Sequence, residues 1–175
     1  MKVFKTILLV VLISSMSVNM LCAQREQAIV LYKNKPLVEV TINGTKAWAL
    51  LDANIDFTVF NAEDQDVYGF KNYKYSNDQY RLNMREAQNL NFQVVGDADI
   101  SIGDESLYGA KLSADISPLV REVSASSGRR ISLIIGLNMM KHHGFSIDVC
   151  NSTVFIPRQL FKDSLDSDQS YSMIK

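Results

Sequence analysis

Apolar and polar positions alternate over Val38-Glu39-Val40-Thr41-Ile42, stop at Asn43-Gly44, and resume over Thr45-Lys46-Ala47-Trp48-Ala49-Leu50-Leu51. Period-two alternation marks strands with one buried face, and Asn-Gly between two such runs suits the positive φ of a type I′ turn. The pattern predicts a hairpin whose second strand runs into Asp52. Leu50 and Leu51 break the alternation, as expected where a strand is covered on both faces. Further on, Phe92-Gln93-Val94-Val95 and Ala98-Asp99-Ile100-Ser101-Ile102 alternate again, interrupted by Gly96 and Gly103. Gly103-Asp104 reads as another hairpin turn, with residues 106–112 returning. Ser117-Pro118 opens a short helix, since Ser can cap and Pro suits the first turn. Residues 124–128 read as a small polar loop, 131–135 as a buried strand and 136–143 as one or two helical turns. Residues 145–149 and 153–156 read as a last hairpin around Cys150-Asn151-Ser152. Short strands, closely spaced turns and little helix predict a mostly-β fold, a closed or partly open barrel with one or two short helices.

The ends change this picture. Met1-Lys2-Val3-Phe4-Lys5 is a basic start, Thr6 to Ile13 is an apolar run too short to span a bilayer, and a polar stretch ends in Cys22-Ala23. That order is the pattern of a removable secretory signal. The bulky Leu21 before Cys22 argues against a lipid anchor. The expected organisation is a signal peptide at 1–23, one β domain at 24–157 and a polar, serine-rich tail at 158–175. The expected location is across the inner membrane, whether periplasmic, envelope-associated or extracellular. No second long apolar run exists, so no membrane span is expected after signal removal.

Eighteen Lys and Arg stand against nineteen Asp and Glu, a net charge of −1, which gives no basic surface for nucleic acid. After processing only Cys150 remains, so no internal disulfide forms. In its strand-like setting it reads as a small buried residue. Trp48 reads as core. His142-His143 is the one histidine pair. Adjacent side chains diverge, and no third histidine exists, so neither a metal site nor a cofactor is predicted. Tyr68, Tyr73, Tyr75 and Tyr80 would line a binding groove or pack under a loop.

Two segments carry candidate chemistry. The first is Ala49-Leu50-Leu51-Asp52-Ala53-Asn54-Ile55-Asp56-Phe57-Thr58-Val59, and the second is Leu133-Ile134-Ile135-Gly136-Leu137-Asn138-Met139-Met140. Together they resemble the retropepsins, the single-domain aspartic proteases of retroviruses and their bacterial relatives. That family shows two apolar residues, Asp-Thr/Ser-Gly-Ala and often a later Asp and Thr-Val, then two apolar residues, Gly, any residue and Asp or Asn. The resemblance spans about Pro36 to Pro157. It implies Asp52 at the catalytic position, substrate contacts at Ala53, Asn54 and Asp56, and supporting roles for Thr58, Ile135, Gly136 and Asn138. It implies a homodimer acting on a peptide or protein substrate. One Asp52 from each copy would share a proton, because two carboxylates about 3 Å apart do not both ionise easily.

The departures fall on the parts that orient and close such a site. Ala53 lacks the hydroxyl that ties the two catalytic loops together. Asn54 fills space that glycine leaves empty. Leu137 stands where the family often has an Arg that pairs with the acid matching Asp56. Residues 71–95 hold no glycine for a hinged flap. Two functions follow from the resemblance: an aspartic endopeptidase that hydrolyses peptide bonds with an activated water, or a non-catalytic pseudoprotease that holds a peptide or protein partner in the same groove. A third reading, a structural module of an envelope assembly, makes its contacts through the barrel surface. The geometric expectation common to the first two is that the Leu-Leu-Asp and Ile-Ile-Gly turns are neighbours.

Overall fold

A computed structural model of the chain describes residues 24–74 and 91–157. The expected signal peptide, the C-terminal tail, and Tyr75 and Tyr80 lie outside the described residues. Glu26–Ile156 form one compact unit. Its chain begins with β1 (Gln24–Tyr32), β2 (Lys35–Ile42) and β3 (Thr45–Asp52). Two-residue turns join these strands, Lys33-Asn34 with φ of 46° and 62°, and Asn43-Gly44 with φ of 47° and 79°. Positive φ at both central residues matches the right-handed twist of the flanking strands. The register is therefore tight: Tyr32 faces Lys35, and Ile42 faces Thr45.

After β3 come β4 (Thr58–Asn61), a 3₁₀ turn (Ala62–Asp64), the one-turn helix α1 (Gln65–Tyr68) and β5 (Lys71–Lys74). The chain continues with β6 (Gln93–Gly96), β7 (Ile100–Ile102), β8 (Glu105–Leu107) and β9 (Lys111–Ala114). Helix α2 (Ser117–Ser127), β10 (Ile131–Gly136), helix α3 (Leu137–His142), β11 (Ser146–Asp148) and β12 (Thr153–Pro157) complete it. The strands line up as β11-β12-β1-β2-β3-β10-β4-β9-β6-β5, with β7 and β8 branching from β2. β10 runs parallel to β3, and β4 runs parallel to β9. The mostly-β expectation holds. Of the two forms expected, closed or partly open, the closed one is not seen: among the described residues the strand path has two ends, β11 and β5, so the sheet is open and mixed.

Two apolar clusters flank the central strands. Leu51, Phe60, Leu133 and Ile135 belong to one, with Val38, Val40 and Met139. Leu50, Val59 and Ile134 belong to the other, with Val120 and Val123 of α2. Successive strand residues point to opposite faces, so the doublets Leu50-Leu51 and Ile134-Ile135 each serve both clusters. Consecutive apolar residues in the sequence report this two-sided burial.

Three local expectations need correcting. Residues 124–127 continue α2 rather than forming a loop. Ser126 and Ser127 donate their hydroxyls to the carbonyls of Glu122 (2.8 Å) and Val123 (2.7 Å), and the helix ends only at Gly128. Bonding back one turn satisfies these hydroxyls inside the helix, so the serines need not leave it for a loop. Trp48 is half-buried rather than core, with the Arg129 guanidinium 4.7 Å from its ring. Cys150 is exposed. The reason is the turn that follows β11, where the Asp148 carboxylate accepts from the Asn151 backbone N–H (3.0 Å) and Nδ2 (2.8 Å) and lifts residues 149–152 out of the sheet.

Those two bonds, the backbone one foremost, hold the Asp148 carboxyl below its ordinary pKa. A group whose folded pKa is depressed contributes stability that is complete above its unfolded pKa and lost as pH falls through the folded one. Urea midpoints of the wild-type chain should therefore drop from about pH 4 downward more steeply than those of Asp148→Ala. The gap between the two proteins should close at the acid end. A constant gap over that range would show that the turn does not depend on the ionised carboxylate.

Candidate active site

The two motifs meet at the ends of two adjacent strands. β3 and β10 run side by side in parallel, with Leu50 opposite Ile134, Leu51 opposite Ile135 and Asp52 opposite Gly136. The expected neighbourhood of the Leu-Leu-Asp and Ile-Ile-Gly turns is thus observed. Beyond Gly136 the chain turns into α3, and beyond Asp52 it loops through residues 53–57 into β4, on the other side of β10. The loop therefore has to cross the end of β10. It does so in hydrogen-bonding contact: Leu137 N–H donates to the Ile55 carbonyl (2.7 Å), and Asn138 N–H donates to the Asp56 carbonyl (3.0 Å).

That crossing explains the glycine. A Cβ placed on Gly136 would lie 2.4 Å from the Phe57 oxygen, 2.6 Å from its carbonyl carbon and 2.7 Å from the Ile55 oxygen. Thr58 braces the same junction from inside. Its Oγ1 is fully buried, accepts from Gly136 N–H at 3.4 Å and lies 3.4 Å from the Met139 sulfur. Ile135 is buried beneath it, whereas Asn138 is exposed and enters the junction through its backbone.

Asp52 is 5 % exposed. Its Oδ1 accepts the Asn54 backbone N–H at 3.1 Å, and its carbonyl accepts from Ile55 N–H at 3.3 Å. Its Oδ2 receives the Lys35 ammonium at 2.5 Å. Both carboxylate oxygens are therefore occupied by donors of the same chain. Lys35 is 40 % exposed, so the pair lies at the edge of the core with the ammonium on the solvent side. Ala53, Asn54 and Asp56 are exposed in the loop beyond.

Lys35 was not found from the motifs, yet the sequence contained the signal. A two-residue turn at Asn43-Gly44 pairs 42 with 45, and the observed register continues to Leu37 opposite Leu50. Two further residues set Lys35 opposite Asp52, where opposite charges across a strand pair attract.

A cleft of about 220 Å³ lies beside the loop. Asp56, Phe57, Tyr108, Asn138, Met139 and His142 border it, and Asp52 does not. The two histidine rings do not diverge but meet edge to face, with centroids 4.9 Å apart. His142 is exposed at the cleft, while His143 is buried, with Nε2 2.8 Å from the Tyr108 backbone nitrogen. Among the described residues no group of three His, Cys, Asp or Glu side chains could hold a metal ion.

Comparison with protein-family models finds no match, and neither does comparison with curated proteins. Solved structures give likenesses. A retropepsin-like aspartic protease from Rickettsia conorii is 13 % identical, with 78 % of this chain and 91 % of that one covered and a TM-score of 0.47. The EIAV protease complexed with the inhibitor HBY-793 is 18 % identical, with 69 % and 100 % covered and a TM-score of 0.47. The retroviral protease-like domain of Ddi1 from Leishmania major is 16 % identical, with 77 % and 98 % covered and a TM-score of 0.42. Likenesses at this level establish neither a family nor an activity.

Proposed function

We propose that this chain is a retropepsin-like aspartic-peptidase homologue, exported across the inner membrane, whose groove at Asp52 binds a peptide or protein segment without cleaving it. The juxtaposition of Asp52 with Gly136 supports the first half of this reading. The Lys35–Asp52 ion pair carries the second. Aspartic proteolysis uses one carboxylate as base and a second, nearby, as acid, with the attacking water between them. Here the group against Asp52 is an ammonium, which donates and cannot accept a proton while charged. It covers Oδ2, while Asn54 N–H covers Oδ1. Ala53 offers no hydroxyl to bring a second copy of the loop into register, and misplacement by an ångström costs on the order of a hundredfold in rate. Export is supported by the basic-apolar-polar order of residues 1–23. No helix among the described residues is long and apolar enough to cross a membrane.

Incubation of the mature protein with a peptide library across pH, beside Asp52→Asn and Ala53→Thr/Asn54→Gly, tests the reading. The expected result is no turnover by the wild type, with peptide capture by both wild type and Asp52→Asn. Wild-type turnover that Asp52→Asn abolishes would replace it with the homodimeric endopeptidase.

A further inference from the structure

We propose that the cleft beside the 53–57 loop is a subsite for a cationic side chain, arginine or lysine, of the bound segment. The inference rests on the peptide-binding reading and adds a side-chain subsite next to the loop that follows Asp52. The cleft holds about 220 Å³, below the roughly 300 Å³ at which small-molecule pockets begin. It fits one side chain rather than a free metabolite. Met139 is buried and Phe57 half-buried, so these two supply apolar surface for an aliphatic stem. Asp56 and Tyr108 supply what a charged head needs.

Asp56 is exposed at the border of the cleft and makes no ion pair among the described residues. Five other acids there do: Glu39 with Lys46, Asp52 with Lys35, Asp64 with Arg130, Asp97 with Lys71 and Glu122 with Lys33. Its backbone is committed through the bond its carbonyl accepts from Asn138, so the carboxylate is carried on a fixed loop. Tyr108 is 45 % exposed as a residue, and its ring stacks on the buried His143, with centroids 6.1 Å apart and planes 27° apart. His143 Nε2 in turn sits against the Tyr108 backbone. The ring is thereby held at the border rather than folded into the core. A carboxylate and an aromatic ring around an apolar base form a recognition set for guanidinium or ammonium. A neutral head keeps at most a hydrogen bond to Asp56 and loses the ionic attraction, and an anionic head is repelled.

Titration calorimetry with two capped pentapeptides tests this, Ac-Ala-Ala-Arg-Ala-Ala-NH₂ and its citrulline counterpart, which keeps the shape and removes the charge. The arginine peptide should bind the wild type about fivefold more tightly at low salt, with the preference shrinking as salt is added. Asp56→Asn, an exposed substitution, should erase the preference, and Tyr108→Leu should reduce it by about twofold. Equal binding of both peptides would overturn the subsite and leave the groove standing, as would a preference that survives Asp56→Asn. Failure of both peptides to bind would overturn the subsite and the peptide-binding reading together.

Discussion

Gly136→Ala should destabilise the fold by about 3 kcal/mol and lower the melting temperature by roughly 10 °C. Backbone strain is not the cause, since Gly136 has φ −87° and ψ 171°, a conformation open to any residue. The cause is space. The added methyl would sit inside contact distance of the Phe57 carbonyl and the Ile55 oxygen, which are main-chain atoms with no rotamer to retreat into. Moving them breaks what they hold, because the Ile55 and Asp56 carbonyls accept from Leu137 and Asn138. The substitution therefore combines overpacking with strain on the backbone hydrogen bonds between the loop and the start of α3. Gly96→Ala makes a useful contrast. There the near atoms, 2.7 Å and more from the added carbon, belong to the half-exposed Tyr73 ring, which can swing away. Thermal unfolding of both variants checks the argument. Similar, small shifts for the two would mean that the loop does not press on β10.

The sequence reported these features unevenly, for physical reasons. Strands β2, β3 and β10 and the Asn43-Gly44 turn were legible because alternation, doublets and turn chemistry are local. The pairing of Asp52 with Gly136 is long-range, and only the resemblance of two short motifs suggested it. The 53–57 crossing and the tightness at Gly136 follow from topology, which no local pattern encodes. Helix α2 was underestimated because serine is an indifferent helix former. Its last-turn serines bond back to Glu122 and Val123, and the left-handed Gly128 closes the helix by donating to the Ser124 carbonyl. Closed and partly open forms were not distinguishable in the sequence for a similar reason. β7 leaves the path by pairing with the far end of β2 at Thr41 and Ile42, and strand patterns do not say which neighbour a strand chooses. Cys150 was misplaced because the Asp148 turn, not the apolar run before it, decides where the thiol lies.

The resemblance pairs Asp52 with a second copy of itself, and within this chain the charge against it comes from Lys35 on the adjacent strand. Like charge and opposite charge beside a buried carboxylate have opposite consequences. A second carboxylate makes proton sharing advantageous, whereas an ammonium satisfies the charge in place. The exchange of Thr/Ser-Gly for Ala53-Asn54 fits the same outcome. Under the non-catalytic reading proposed above the hydroxyl is dispensable, while the buried carboxylate still needs a counter-charge.

Lys35→Met should cost about 2 kcal/mol of stability, and adding Asp52→Asn should return a large part of it. Removing the ammonium leaves a carboxylate that is 5 % exposed with the Asn54 N–H as its remaining donor to the side chain. Breaking one side of a buried pair generally costs more than this. The figure is reduced because Lys35 is 40 % exposed and water enters where its ammonium leaves. Asp52→Asn alone should cost less, since the half-exposed Lys35 can rehydrate while an amide keeps an acceptor for Asn54. Urea unfolding of the wild type, both single variants and the double variant closes the cycle, with a coupling of about 1 kcal/mol or more expected. Additive single effects would show that Lys35 and Asp52 do not depend on one another, and the case against catalysis would lose its main support. The same variants bear on activity. Placing Lys35→Met into Ala53→Thr/Asn54→Gly uncovers Oδ2 and restores the loop hydroxyl together. If the ion pair is what keeps water from the carboxylate, peptide cleavage should emerge in that triple variant and not in the loop variant alone.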